Sequence, residues 1–295
     1  MSKCLIIGSK GFVGKHLKKY LRSQNHVVIG YNLSAGYDIR DYEKLRNFLD
    51  HHRPDYIYHL AAQAYVSESF ANPVRTFEVN TIGSLNLLEA VRQLGLKTKI
   101  LLAGTSEEYG DAEPLEDGGL NPLSPYAISK FAMDKLGMLY AKSYGMNIVV
   151  TRAFNHTGPG RGEMYAESSF AKQIVNIENG KQKMLNHGSL LAVRNYTDVR
   201  DIVKAYMLAI DLPPDVYNIC SNQNITIHDM LDILIDLSSL PIPHKEMDSL
   251  KRPVDFSFKE PACKKFTKLT GWKPEIELRQ TLEDLLNYWR EQCGS

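Results

Sequence analysis

Short apolar runs alternate along the first half of the chain with segments whose apolar residues recur every three or four positions. KCLIIG (3–8) is a run of β-forming residues that stops at glycine, and HVVIGY (26–31), YIYHLAA (56–62), KILLAGTS (99–106) and NIVVTRAF (147–154) repeat that design. Continuous apolar runs of this length predict strands buried on both faces. Between them, Val13, Leu17, Tyr20 and Leu21 fall at helical spacing, and helices are predicted over 41–51, 74–94 and 125–144. Strands alternating with helices predict βαβ units around a parallel sheet, with right-handed crossovers covering both faces. The expected fold is α/β, a doubly wound parallel sheet.

The rhythm changes near residue 155. A loop rich in Gly and polar residues (155–168) precedes predicted helices at 167–179 and 199–211, a strand at 216–220, and helices at 226–239 and 278–292. Pro241, Pro243, Pro253, Pro261 and Pro274 mark the remainder as loops. Residues 1–154 are expected to form one domain and 155–295 a smaller α+β lobe, joined without a flexible linker. The stripe Leu278, Leu282, Leu285, Leu286 and Trp289 reads as a core-facing helix.

Composition narrows the class. In 295 residues, 35 Lys+Arg stand against 34 Asp+Glu, and 43% are apolar. A net charge of +1 argues against binding dominated by a nucleic-acid backbone. No apolar stretch approaches the roughly 18 residues of a membrane span. Cys4, Cys220, Cys263 and Cys293 are scattered without a CxxC pair, so no metal site is expected and reduced thiols in the cytoplasm are.

Chemistry enters at the first turn. Gly8, Gly11 and Gly14 form GSKGFVG directly after the first strand. Glycines here let backbone N–H groups approach a pyrophosphate at a helix N-terminus. The acidic residue expected about 20 residues on, for a ribose 2′-hydroxyl, is missing, because the second strand ends Gly30-Tyr31-Asn32. No Arg stands there either, so NAD and NADP both remain open. Asp38 and Ile39 are candidates to contact the adenine, with a helix N-cap as the alternative role of Asp38.

Two further segments complete the pattern. Tyr126 and Lys130 form YxxxK, which places both side chains on one helix face. An ammonium beside a phenol favours the phenolate and makes it a base for a sugar hydroxyl. Gly104-Thr105-Ser106-Glu107-Glu108-Tyr109-Gly110 follows the fourth strand, where ligands bind in such sheets. Thr105 offers a hydroxyl to polarise a C–O bond. Together these segments resemble the extended short-chain dehydrogenase/reductase family over essentially the whole chain. Thr-Ser-Glu, His59-Leu60-Ala61-Ala62-Gln63 with Val66 and Ser69-Phe70, Phe154-Asn155-His156, Gly158-Pro159-Gly160-Arg161-Gly162-Glu163, Gly188-Ser189-Leu190 and Gly271-Trp272-Lys273-Pro274 resemble its nucleotide-sugar 4,6-dehydratases, above all the GDP-mannose type.

The resemblance implies a Rossmann-type cofactor domain holding NAD or NADP through Gly8, Gly11, Phe12, Val13, Gly14, Asp38, Ile39, Leu60, Ala61, Ala62, Gln63, Tyr126 and Lys130. It implies catalysis by Thr105, Glu107, Tyr126 and Lys130, and a GDP-sugar held by Ser106, Asn155, Arg161, Arg194 and Arg252. In a dehydratase, Tyr126 assists oxidation at C4, Glu107 removes the C5 proton and protonates the departing C6 hydroxyl, and hydride returns to C6. The cofactor is then tightly bound and regenerated. Glu108 is expected to be structural. GDP-4-keto-6-deoxy-mannose reductases using NAD(P)H are the alternative, since SEEYG, FNH.GPG and YN.CS also resemble some of them, and another nucleotide-sugar epimerase or dehydratase is a further one. A further alternative is a silent relative that senses dinucleotide or binds a partner. A homodimer through the helices at 74–94 and 125–144 is implied by resemblance alone.

Overall fold

The computed structural model describes residues 1–250, 257 and 263–294. In chain order its main elements are β1 (Lys3–Ile7), α1 (Phe12–Ser23), β2 (Val27–Tyr31), α2 (Tyr42–His52), β3 (Tyr56–His59), α3 (Val66–Ala71), α4 (Pro73–Phe77), α5 (Gly83–Gln93), β4 (Lys99–Ala103), α6 (Pro125–Tyr144) and β5 (Asn147–Ala153). There follow β6 (Asn155–Thr157), α7 (Ala166–Glu178), β7 (Leu185–His187), β8 (Val193–Asp198), α8 (Val199–Ala209), β9 (Val216–Ile219), β10 (Asn224–Thr226), α9 (Ile227–Asp236), β11 (His244–Glu246), α10 (Lys264–Thr270) and α11 (Leu278–Cys293). They fall into two units. The first takes Met1–Ala153 and then Ile202–Ile219, and is completed by the stretch ending at Trp272. The second begins at Phe154–Asp201, resumes at Cys220 and ends with the chain from Lys273.

The first unit is built on a six-stranded sheet of order β2-β1-β3-β4-β5-β9. Every neighbouring pair is parallel. Alternate residues of each strand face opposite sides, which divides the core in two. Cys4, Ile6, Tyr58, Leu101, Val149 and Tyr217 face Leu17 and Leu21 of α1, Ile202 and Tyr206 of α8, and Phe266 and Trp272. Leu5, Ile7, Ile57, Ile100, Leu102 and Val150 face Leu45 and Leu49 of α2, Leu87 and Val91 of α5, and Met133 of α6. Strand order reverses between β1 and β3, so the crevice beyond their carboxyl ends is the expected ligand position.

Two predicted elements are shorter or more complex than their pattern. The strand over 56–62 stops at His59, where the backbone turns across the glycine loop. The helix over 74–94 is a run of α4, a π turn at Glu78–Ile82, and α5. A π turn of this kind often marks a functional site.

In the second unit β8 lies between β6, which it pairs in parallel, and β10, which it pairs antiparallel. β6 occupies part of the region predicted as loop. β7 and β11 form a separate parallel pair. The core joins Phe170, Ile174 and Val175 of α7, Leu231 and Leu234 of α9, and Leu282, Leu285 and Leu286 of α11. The C-terminal stripe is therefore core.

Candidate active site

The three glycines of the first turn have distinct tasks. Gly8 sits at φ +92°, and a Cβ there would lie 2.8 Å from the Ala61 nitrogen. Its N–H donates to the Tyr31 carbonyl at 2.8 Å, joining β1 to the end of β2. Gly11 is the extended N-cap residue of α1 and donates its N–H to the Gly8 carbonyl at 3.0 Å. A Cβ on Gly14 would stand 2.2 Å from the Gly8 oxygen, so only glycine lets α1 pack so close to the turn. Phe12 and Val13 open that helix.

A cavity of about 370 Å³ lies against this turn. Gly8, Gly11, Asp38, Ile39, Leu60, Ala61, Ala62 and Gln63 all line it, so residues predicted from separate segments share one wall. The narrow approach of backbone at Gly8 and the exposed start of α1 fit a pyrophosphate. Asn80, inside the π turn, accepts the Gln63 N–H at 2.8 Å and donates to the Gln63 carbonyl at 3.0 Å, fixing the loop after β3.

The end of β2 carries no carboxylate. Asn32 donates from its amide to the Ser9 hydroxyl at 3.2 Å and accepts from the Ser34 hydroxyl at 2.8 Å. Asn32, Ser34, Lys10, Arg40 and Arg75 line the same cavity. The sequence reading missed these five; Asn32 and Ser34 follow the strand directly and Lys10 stands inside the glycine turn, whereas Arg40 and Arg75 arrive through the fold. Asp38 is paired with Arg40 at 2.7 Å. Hydrogen bonding from Arg40 holds its carboxyl below the usual range. The N-cap of α2 is Asp41, which accepts the Lys44 N–H at 3.0 Å, so the alternative role considered for Asp38 belongs to Asp41.

The catalytic candidates come from α6 and the end of β4. Ser124 caps α6 by accepting the Ala127 N–H, and Pro125 occupies the first helical position. Tyr126 and Lys130 are both buried. Lys130 Nζ donates to the Ala103 carbonyl at 2.6 Å, two residues before Thr105. Burial lowers the Lys130 pKa to about 8, with Glu108 acting in the opposite sense. The Ser129 hydroxyl donates to the Tyr126 carbonyl at 2.7 Å and accepts from Asn80 at 2.9 Å, bracing the first turn of α6 against the π turn.

Thr105 caps the short 3₁₀ turn Ser106–Glu108, its hydroxyl accepting the Glu107 N–H at 3.3 Å. Ser106 is buried and Glu107 half-buried. Glu108 is wholly enclosed and sits 3.3 Å from Arg152 of β5. It is a structural carboxylate in its contacts.

The substrate candidates of the second unit lie on and beside its sheet. Asn155 is in β6, in register with Tyr196 of β8. Arg194, also in β8, is buried and donates to the Val193 carbonyl at 2.9 Å. The Arg161 guanidinium stacks 3.3 Å over the Tyr165 ring and lies 3.4 Å from Glu167, whose other oxygen accepts from the Tyr196 hydroxyl at 3.3 Å. Arg252 lies outside the described residues. Among the described residues, His228, Asp229 and Asp232 could approach a cation, but the set is exposed and Asp229 takes part in the N-cap of α9.

Comparison with known proteins places this geometry. A family model described as GDP-mannose 4,6 dehydratase matches residues 5–285. The chain is 31% identical to the GDP-6-deoxy-D-mannose reductase of Pseudomonas aeruginosa over 298 residues, covering 98% of each. It is 32% identical to GDP-mannose 4,6 dehydratase 1 of Arabidopsis thaliana over 259 residues, covering 85% of this chain and 72% of that one. A structure of RMD from Pseudomonas aeruginosa complexed with NADPH superposes with a TM-score of 0.90 at 30% identity, covering 99% of this chain and 100% of the other.

Proposed function

Given that the chain belongs to the GDP-mannose 4,6 dehydratase family of extended short-chain dehydrogenase/reductases, we propose that it is an NADPH-dependent reductase of a GDP-4-keto-6-deoxy sugar. The coarser statement is firm: it is a nicotinamide-dependent enzyme of nucleotide-sugar chemistry. The observation that carries the finer one is the end-to-end match, 98% of each chain, with a relative named as a reductase. The named dehydratase is spanned over only 72% of its length.

When bound, the reduced nicotinamide supplies the hydride for the C4 ketone. Thr105 donates its hydroxyl proton as a hydrogen bond to the ketone oxygen and so favours charge developing there. Tyr126 delivers the proton that the new C4 oxygen takes up, its O–H bond breaking as the alcohol O–H forms. Lys130 stabilises the phenolate left behind. Asn155, Arg161, Arg194 and Arg252 supply amides and cations suited to the nucleotide diphosphate. NADPH is preferred over NADH because Lys10, Asn32 and Ser34 line the cavity beside the end of β2, and the carboxylate that also lines it, Asp38, is paired with Arg40.

A second reading, the 4,6-dehydratase, is favoured by Glu107, a half-buried carboxylate two residues from Thr105. In it Glu107 takes the C5 proton and protonates the departing C6 hydroxyl.

One pair of incubations separates the two. The reductase oxidises NADPH when given the 4-keto sugar nucleotide and leaves GDP-mannose untouched. A 4-keto product formed from GDP-mannose without added NADPH would establish the dehydratase instead. We also infer a homodimer through α5 and α6 and a cytoplasmic site of action. Exposed Val74, Ile82, Ile128 and Leu139 on and beside those helices support the first, and among the described residues no helix is long and apolar enough to cross a membrane.

A further inference from the structure

Glu108 is wholly buried, and its two oxygens are held on opposite sides. Oε1 accepts the Thr105 N–H at 2.9 Å, while Oε2 lies 3.3 Å from Arg152 Nε. Arg152 is fixed in turn by Asp134 at 2.7 Å and by the Tyr109 hydroxyl at 3.0 Å, which itself donates to Asn218 Oδ1 at 2.8 Å. Gly104 makes room for this arrangement, since a Cβ there would lie 2.8 Å from Glu108 Oε1.

The contact with Thr105 is reciprocal. Glu108 closes a capping box on the turn that Thr105 opens. The Thr105 oxygen accepts from the Glu107 N–H, which orients the hydroxyl while its one proton is left to donate outward. Among the described residues, Glu108 is the side chain that holds the Thr105 N–H. We propose that Glu108, braced by Arg152 and Asp134, is a positioning residue that fixes the Thr105 backbone and thereby aims the Thr105 hydroxyl at the reacting C–O group. The proposal rests on the reading of Thr105 as the hydrogen-bond donor given above.

The charge balance supports it. Two buried carboxyls share one guanidinium, and burial with the neighbouring Asp134 raises the Glu108 pKa to about 8. Glu108 Oε2 is a buried oxygen without a hydrogen-bond partner, and a proton retained on Glu108 makes it a donor. The titratable and charged groups around this cluster are Tyr109 in the turn, Lys130 and Asp134 of α6, Arg152 of β5 and Glu116 in the loop beyond, with Lys130 acting in turn on His59 of β3. A glutamine at 108 keeps an acceptor for the Thr105 N–H and presents an NH₂ to Asp134.

The test is a double-mutant cycle on the full chain, reading kcat and KM for ketone reduction across pH 6–10, NADPH affinity and thermal stability. Thr105→Val and Glu108→Leu are each expected to lower kcat about 30-fold or more, with NADPH affinity and KM within about threefold. The double variant is expected to be no slower than Thr105→Val alone. Glu108→Gln is expected to keep plateau kcat within about threefold while its alkaline limb moves to lower pH, because Lys130 loses the carboxylate that favours its charge. Losses that add in the double variant, or a Glu108→Leu variant that melts earlier at unchanged kcat, would overturn the proposal. A Thr105→Val variant as active as the parent would remove the donor reading and the proposal with it. If Glu108→Leu does not fold, Glu108→Asp, one methylene too short to reach Thr105, replaces it with the same outcomes.

Discussion

Lys130 Nζ reaches across from α6 to the Ala103 carbonyl at 2.6 Å, so a buried ammonium ties the helix bearing Tyr126 to the strand end bearing Thr105. Burial places its pKa at about 8. The charged form is therefore the majority species below that pH and is lost above it. Turnover should fall as pH rises through about 8. Lys130→Met should lose about 10²-fold or more in kcat. A pH–rate profile of both proteins checks this: a Met variant that keeps the parental alkaline limb would show that the limb belongs to another group.

Gly14 presses against the Gly8 carbonyl with no space for a methyl group. Gly14→Ala should cost about 2–3 kcal/mol, since backbone must move on both sides of the contact. Thermal unfolding without cofactor reads this directly. A melting temperature equal to the parent's would mean that α1 shifts freely, contrary to the packing of Leu17 and Leu21 in the core.

Asn32 stands where a ribose-binding carboxylate would favour NADH. Asn32→Asp should lower the ratio of kcat/KM for NADPH over NADH by about tenfold or more, through repulsion of the 2′-phosphate. Steady-state kinetics with each cofactor tests it, and an unchanged ratio would place the 2′-position away from this end of the cavity.

His59 is wholly buried, and burial lowers its pKa to about 3. Its Nε2 lies 2.8 Å from the Ser84 oxygen, whose proton is committed to the Asn80 carbonyl. The ring is thus neutral, with Nε2–H donating. A folded pKa below the unfolded value near 6.5 gives stability that is whole above pH 6.5 and drains away as pH falls toward 3. The loss is about 1.4 kcal/mol per pH unit for this group within that window. His59→Asn should flatten the drop in urea midpoint between pH 7 and pH 5. An equal drop in both proteins would assign acid sensitivity to other groups, among them His156, whose pKa burial lowers to about 4.

Much of this was legible in the residues. The bounds of α6 follow from Ser124, Pro125 and the αL residue Gly145, local signals that need no tertiary context. The glycine turn and YxxxK are equally local. What stayed hidden depends on the fold. Lys10, Asn32 and Arg40 meet only because β1 and β2 pair and the loop after β2 folds back. The π turn at Asn80 lies within a segment whose apolar pattern reads as unbroken helix. Three-residue β6 is too short to display a period. Glu108 reads as structural beside Glu107, but its partner Arg152 lies 44 positions on, beyond any spacing rule.

The connectivity of the first unit has a consequence for synthesis. Its sixth strand arrives only with Val216–Ile219, and two aromatic plugs of one sheet face, Phe266 and Trp272, come later still. A nascent chain that has reached Ala153 already holds the glycine turn, Thr105, Tyr126 and Lys130, yet its β5 edge is open and the face of Tyr58, Leu101 and Val149 has Leu17 and Leu21 but still lacks Ile202, Tyr206, Phe266 and Trp272. Such an intermediate exposes both a strand edge and an apolar face, the two features that invite aggregation. The cofactor domain can therefore close only after Trp272 has left the ribosome.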